Sequence, residues 1–312
     1  MRKGIRGFGT LLATILGVAV CGNLAVYGQR DSVRTILVTA DAGNSSKAAV
    51  AARIRPEDFV VKENKISREV LDVKRADQVP VNLAVVLQDN LSIRVNNELK
   101  GIKTFIKGLP KGSTVMTAYI TGGTVRVRKD FTDDLSGAAD SLRIIASSGN
   151  LAAYTPYTQL EDVMKKFPDS ADGRRMVLFV SDGVEYGEDY RFASPFQSLY
   201  LDRAISRAQA MNIAVFPMFA PPENIRFTRR LLNYGQGALL RLADETGGQA
   251  FFTGSDFVTF DPYLREYGEL MKYQWLIEYK TDPNLKGFVR VDVQTDFDID
   301  LMHPTGYRAG KS

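Results

Sequence analysis

The chain has 312 residues, 45% of them hydrophobic, with 40 Lys+Arg against 36 Asp+Glu, one cysteine and one histidine. So little thiol and imidazole excludes a disulfide framework and a zinc cluster with two or more histidines, and it argues against a Ser-His-Asp triad. The formal charge of +4 is concentrated at the start: Arg2, Lys3 and Arg6 stand in the first 28 residues with no acid, leaving 37 basic against 36 acidic residues beyond them. That near-neutral balance, with no basic stripe interleaved with aromatics, excludes a nucleic-acid reading.

Met1 to Arg6 is basic, and Phe8 to Val20 is apolar with only glycine, alanine and threonine interposed. This is the pattern of a secretory signal peptide over residues 1–28, too short for a comfortable membrane span. Val26 and Gly28 are the small residues before a cut at Gln29, whereas Cys21 follows a bulky Val20 and is a poorer lipidation site. The mature chain is then periplasmic or secreted, with membrane attachment only through an uncleaved or lipidated leader. About 284 residues remain, enough to bury roughly three quarters of their unfolded surface without disulfides.

The segment 29–79 predicts strands: Val33–Thr39, turn chemistry over Asp41–Ser46, then a hairpin of Phe59–Glu63 and Ser67–Lys74 about Asn64-Lys65. From Val81 strands and helices alternate, which predicts a doubly wound, mostly parallel α/β sheet over 80–272. Its strands are Val81–Leu87, Ser113–Ile120, a charged edge strand Val125–Lys129, Arg175–Val180, Ile213–Phe219 and Ala250–Phe252. Its helices are Asn97–Lys107, Asp134–Ala146, Thr158–Phe167, Leu199–Met211, Gly237–Thr246 and Pro262–Lys272. The segment 273–312 returns to strands at Trp275–Lys280, Phe288–Thr295 and Asp298–Met302, and it pairs with 29–79 as a small β module. His303 reads as a solvated surface residue.

Arg175-Met-Val-Leu-Phe-Val-Ser-Asp-Gly183 is a buried parallel strand that stops at Ser181, Asp182 and Gly183. In such sheets ligands sit beyond the carboxyl ends of the strands. The strand before it ends in Gln88-Asp-Asn-Leu-Ser92, where Gln88, Asn90 and Ser92 share one side by alternation and Asp89 points away. Tyr154-Thr-Pro-Tyr-Thr-Gln-Leu160 adds Thr155, with Thr158 as the helix cap. Carboxylate, hydroxyl and amide oxygens gathered at one edge suit a hard cation such as Mg²⁺.

These residues resemble the von Willebrand factor type A (VWA) family, specifically exported bacterial proteins with a VWA-related domain common in acidobacteria. Ile54-Arg-Pro-Glu-Asp-Phe-Val-Val-Lys-Glu63, Leu242-Ala-Asp-Glu-Thr-Gly-Gly248, Phe260–Leu264 and Gly306-Tyr-Arg308 are similar to segments of that family in order and spacing. The resemblance implies a metal-ion-dependent adhesion site on Gln88, Asn90, Ser92, Thr155 and Asp182. Gln88 stands where the motif has aspartate and Asn90 where it has serine, so the site is degenerate. At about 4 Å and an effective dielectric near 20, one carboxylate contact contributes roughly 4 kcal/mol per unit charge before dehydration. Losing one weakens cation binding by orders of magnitude. The same residues also read as a closed site in which Gln88 and Asn90 satisfy Asp182 and Thr155 directly.

The loop after Asp182 brings Glu185, Tyr186, Asp189, Tyr190 and Phe192 to the same edge as a partner-binding rim, with part of its rings tucked onto the sheet. Glu185 or Asp189 is also a candidate to replace the missing carboxylate. The leading reading is an exported, non-catalytic binding protein for a protein or peptide, with Mg²⁺ or another divalent cation as candidate cofactor. Its alternatives are a cation-free structural or assembly protein of the envelope, and a carboxylate-dependent hydrolase using Asp182 with Glu185.

Overall fold

The computed structural model describes residues 32–145, 155–168, 173–186, 194–223, 228–252 and 259–310. The expected signal peptide lies outside them. The first strand is β1 (Ser32–Ala40), followed by a short helix α1 (Ser45–Ala51) where the sequence predicts a turn over Asp41–Ser46. Asn44 accepts from the Lys47 amide at 2.9 Å, so the residue type that favours turns here caps a helix. Then come β2 (Val60–Glu63), β3 (Ile66–Arg68) and β4 (Val70–Arg75). Asn64 and Lys65 both take positive φ, 49° and 71°, giving the tight turn whose twist matches its strands.

The α/β unit runs β5 (Val81–Gln88), α2 (Val95–Lys107), β6 (Thr114–Thr121), β7 (Thr124–Thr132), α3 (Leu135–Ser141), α4 (Pro156–Met164), β8 (Arg174–Ser181), α5 (Leu199–Met211), β9 (Ile213–Phe219), α6 (Arg229–Thr246) and α7 (Asp261–Leu270). Its five strands lie in the order β7-β6-β5-β8-β9. β6, β5, β8 and β9 are parallel, and the charged β7 is the antiparallel edge. Alternation along β5 divides the core. Leu83, Val85 and Leu87 face Ile102, Leu264 and Tyr267, while Ala84 and Val86 face Leu160, Ile205 and Leu239. No described helix is long and apolar enough to cross a membrane.

Three elements differ from expectation for tertiary reasons. α3 stops at Ser141, because the Arg143 amide and carbonyl are taken by the Tyr119 hydroxyl and the Ile145 amide by Asn96. α6 begins at Arg229, capped by Thr228, and carries Gly235 and Gly237 inside it. Ala250–Phe252 forms only a bridge from Phe251 to Met218.

The tail supplies β10 (Gln274–Thr281), β11 (Gly287–Gln294), β12 (Leu301–Met302) and β13 (Gly306–Ala309). They pair with the first segment in two antiparallel sheets, β12-β1-β10-β4 and β13-β11-β2-β3. Trp275, Ile277, Val38, Phe59, Val61 and Val291 fill the core between them. Residues Asp31–Ser312 form one compact unit.

His303 is half-buried rather than fully solvated. Its Nε2 accepts from the Val293 amide at 3.3 Å, and Nδ1 lies 3.0 Å from the Pro304 carbonyl. Burial holds its pKa below 6.5, against the Pro304 contact and the Asp292 charge. The unfolded chain therefore binds more protons than the folded one just below pH 6.5. Stability is complete above that value and falls as pH drops through it. Thermal melts at pH 7.5 and 5.5 should show a smaller loss for His303→Gln than for wild type. Equal losses would show that this imidazole carries no proton linkage.

Candidate functional site

β5 and β8 are adjacent and parallel, with Leu87 opposite Val180, so Gln88 and Ser181–Asp182 emerge side by side at one edge. Ser181 donates from Oγ to Gln88 Oε1 at 2.6 Å, and Gln88 Nε2 donates to Asn90 Oδ1 at 2.5 Å. Asp182 is fully buried. Its Oδ1 accepts from the Val184 amide at 2.9 Å and its Oδ2 from the Tyr186 hydroxyl at 2.6 Å. Burial pushes the Asp182 pKa up to about 6, opposed by Tyr186, Val184, Gln88 and Asn90, which favour the ionised form.

The backbone behind this cluster is tightly held. Gly183 turns with φ 68°, and a Cβ there would stand 2.4 Å from the Gly235 carbonyl of α6. The Tyr157 hydroxyl donates to the Gly183 carbonyl at 2.6 Å, tying the start of α4 to the end of β8. Burial, reinforced by the Asp182 and Glu185 charges, holds that phenol well above its usual range, so it stays a donor.

A second segment, a strap, is tied to the loop after β5. After β9, the Pro221 carbonyl accepts from the Ser92 amide at 2.8 Å, and the Glu223 amide donates to the Asn90 carbonyl at 3.1 Å. Leu91 and Pro222 form an antiparallel bridge, and Glu223 Oε2 accepts from the Ile93 amide at 2.7 Å. Because β5 and β9 lie on either side of β8, this segment links its two neighbours at the end where Asp182 sits.

The sequence-derived site is thus brought together in part. Gln88, Asn90 and Asp182 form one hydrogen-bonded group. Ser92 is half-buried, with Oγ accepting from the Arg94 amide at 3.4 Å. Thr155, rather than Thr158, caps α4, accepting from the Tyr157 amide at 3.3 Å. Tyr186, expected on the rim, is 6% exposed and turned in to Asp182. Glu185 is half-buried, and its carboxylate accepts from the Ser198 hydroxyl at the cap of α5; burial raises its pKa while Ser198 opposes that shift. Asp189, Tyr190 and Phe192 lie outside the described residues. The roles of Ser181, Tyr157 and Pro221–Glu223 were not foreseen. Ser181 could have been inferred from its register beside Gln88, whereas the strap joins residues about 130 apart in sequence and leaves no local signal.

A divalent cation does not fit this donor set as it stands. It needs several oxygens with lone pairs directed at one point. Both Asp182 oxygens already accept from protein donors, Gln88 Oε1 accepts from Ser181, and Gln88 directs N–H groups at its neighbours. Among the described residues, no group of three or more His, Cys, Asp or Glu side chains is placed to hold a metal. A cavity of about 1050 Å³ lies elsewhere, between α2 and α7 with Arg174 at its wall, and none of the Asp182 cluster lines it.

No protein-family profile matches the chain, and no curated protein does. Among solved structures, an aerotolerance-related membrane protein from Bacteroides fragilis is similar over 61% of this chain and 98% of its own, with 13% identity and a TM-score of 0.46. The conserved hypothetical protein BatB from Bacteroides thetaiotaomicron covers 62% of this chain and 99% of its own, at 16% identity and a TM-score of 0.45. The VWA domain of SpRpn10 covers 61% and 92%, at 11% identity and a TM-score of 0.37. Identities and scores this low pass on nothing about function, and they leave the fold to be read from this chain's own strands. Four parallel strands with one antiparallel edge and helices on both faces make this unit a doubly wound α/β domain, the architecture expected of residues 80–272.

Proposed function

We propose that this chain is an exported, non-catalytic binding protein whose VWA-type domain, residues 80–272, recognises a protein or peptide at the edge formed by the ends of β5 and β8. Residues 1–28 are its leader, and the segments 29–79 and 273–312 are the β module that carries the domain. The observation supporting the reading is a cluster of exposed apolar side chains beside that edge. Phe196, two residues before the α5 cap, is 85% exposed, and Leu199 and Tyr200 at the start of α5 are 66% and 42% exposed; the cap Ser198 holds Glu185. Large apolar side chains left in water next to polar groups are what a recognition surface uses as anchors. The hydrolase alternative has less support: the Asp182 carboxylate is sealed from solvent and Glu185 is engaged at Ser198, so these two do not form a pair facing a cleft.

The test is capture on the immobilised mature chain, comparing wild type with Phe196→Glu/Leu199→Glu. Proteins retained by wild type and lost from the variant, with both chains melting alike, are the expected result. A retained set that ignores the substitutions would remove this edge from the account.

A further inference from the structure

The cluster around Asp182 resolves how the recognition edge is built, on the reading that it is a recognition edge. Asp182 has a donor on each oxygen from its own loop, the Val184 amide and the Tyr186 hydroxyl, and it is also hydrogen-bonded by Gln88 and Asn90. Gln88 and Asn90, the two residues that depart from the resemblance's acidic and hydroxyl pattern, are locked to each other and to Ser181. The departures are matched. An aspartate at 88 would place a second negative charge beside Asp182, and without a cation the two would repel. A neutral amide removes that repulsion and supplies N–H donors. The Pro221–Glu223 strap then holds the Asn90–Ile93 backbone that carries this group.

We infer that the Tyr186 hydroxyl stands where the resemblance puts a divalent cation, so that this edge holds its shape and captures its partner without Mg²⁺ and without a carboxylate from the partner. A metal-bridged edge presents positive charge to its ligand. Here no cation supplies it: the described rim carries exposed Arg94, Arg229 and Arg230 as well as the acids Glu185 and Glu223, and its exposed apolar groups are Phe196, Leu199 and Tyr200. The partner segment it suits is apolar or aromatic.

Calorimetric titration of the full chain with MgCl₂ and then MnCl₂ tests this directly. No saturable heat is expected, and saturable heat lost in Asp182→Asn would overturn the inference. A second arm reverses the substitution set. Gln88→Asp/Asn90→Ser/Tyr186→Phe should bind Mn²⁺ at least about a hundredfold more tightly than wild type, because it adds one carboxylate and frees another. A folded triple variant with wild-type behaviour would overturn the assignment of Tyr186. Should the triple variant fail to fold, Gln88→Asp/Tyr186→Phe is read by the same rule, and the wild-type titration remains decisive for the cation. Capture repeated in EDTA separates this inference from the functional reading. Partners held only with Mg²⁺ sink the inference alone. An absence of partners in both buffers sinks the functional reading and leaves the titration result standing.

Discussion

Arg174→Ala is expected to be the most damaging single substitution in the described chain, lowering unfolding stability by about 4 kcal/mol or more. Arg174 is 1% exposed. Its guanidinium donates to the carbonyls of Val79 at 3.2 Å, Met271 at 2.7 Å and Ala76 at 3.0 Å, and to Gln274 Oε1 at 2.8 Å. Those acceptors belong to the two crossings between the β module and the α/β sheet, one before β5 and one between α7 and β10. Burial lowers its pKa to about 10, so it remains charged at neutral pH. Two effects compete. Removing the side chain abolishes the cost of burying a charge, which by itself stabilises. It also leaves the acceptors without this partner and opens a void, and a buried acceptor without its hydrogen bond costs about 1–3 kcal/mol. With four acceptors the second effect wins. Arg174→Met fills most of the void but satisfies no acceptor, so it should also lose stability. Urea unfolding monitored by Trp275 fluorescence measures both, and wild-type midpoints would show that the crossings hold without the guanidinium.

Gly235→Ala is the second large effect, and its sign opposes local propensity. In a helix interior, alanine is favoured over glycine by about 1 kcal/mol. At Gly235 of α6, however, a Cβ would stand 2.1 Å from the Asp182 carbonyl and 3.1 Å from a Val184 methyl. The obstacle is backbone, so α6 must move off β8, and overpacking of this kind costs about 1–3 kcal/mol even before the Asp182 contacts are disturbed. A net loss of about 2 kcal/mol is expected. Gly237→Ala is the internal control, because its Cβ meets Pro195 at 3.4 Å, an ordinary contact. It should be neutral or stabilising by up to about 1 kcal/mol. Thermal melts of the two variants should move in opposite directions; parallel shifts would mean that the helix tolerates the approach.

Gly235 also shows why parts of this molecule could not be read from the chain. The sequence predicts this helix only from Gly237, whereas it begins at Arg229 and Gly235 inside it is what allows α6 to lie against Asp182. α3 was cut short for the same kind of reason: Tyr119 and Asn96 take backbone groups that would otherwise continue the helix. By contrast α5 and β9 occupy the bounds expected of them, because α5 buries one face at helical spacing and β9 is an apolar run buried along its whole length, and both patterns are local. The site divides along the same line. Gln88 and Asp182 were placed at a common edge by two apolar strands that end in polar residues, a pattern visible in the sequence. Which donors those groups face was not visible, since Tyr186 differs from a rim residue only by the turn of a loop.

Residue order alone therefore determined the alternation of strands and helices, the return of the two terminal segments to strand, and the edge at which oxygen-bearing side chains collect. Periodicity and strand-end chemistry are local properties, set by which side chains can be buried over a few residues. Tertiary structure decided the rest: the Pro221–Glu223 strap, the inward turn of Tyr186, the Ser181–Gln88 bond and the guanidinium of Arg174 at the crossings. All but the turn of Tyr186 depend on groups far apart in sequence meeting within hydrogen-bond distance once the sheet has brought them together, and Tyr186 turns in only because the buried end of β8 places Asp182 there.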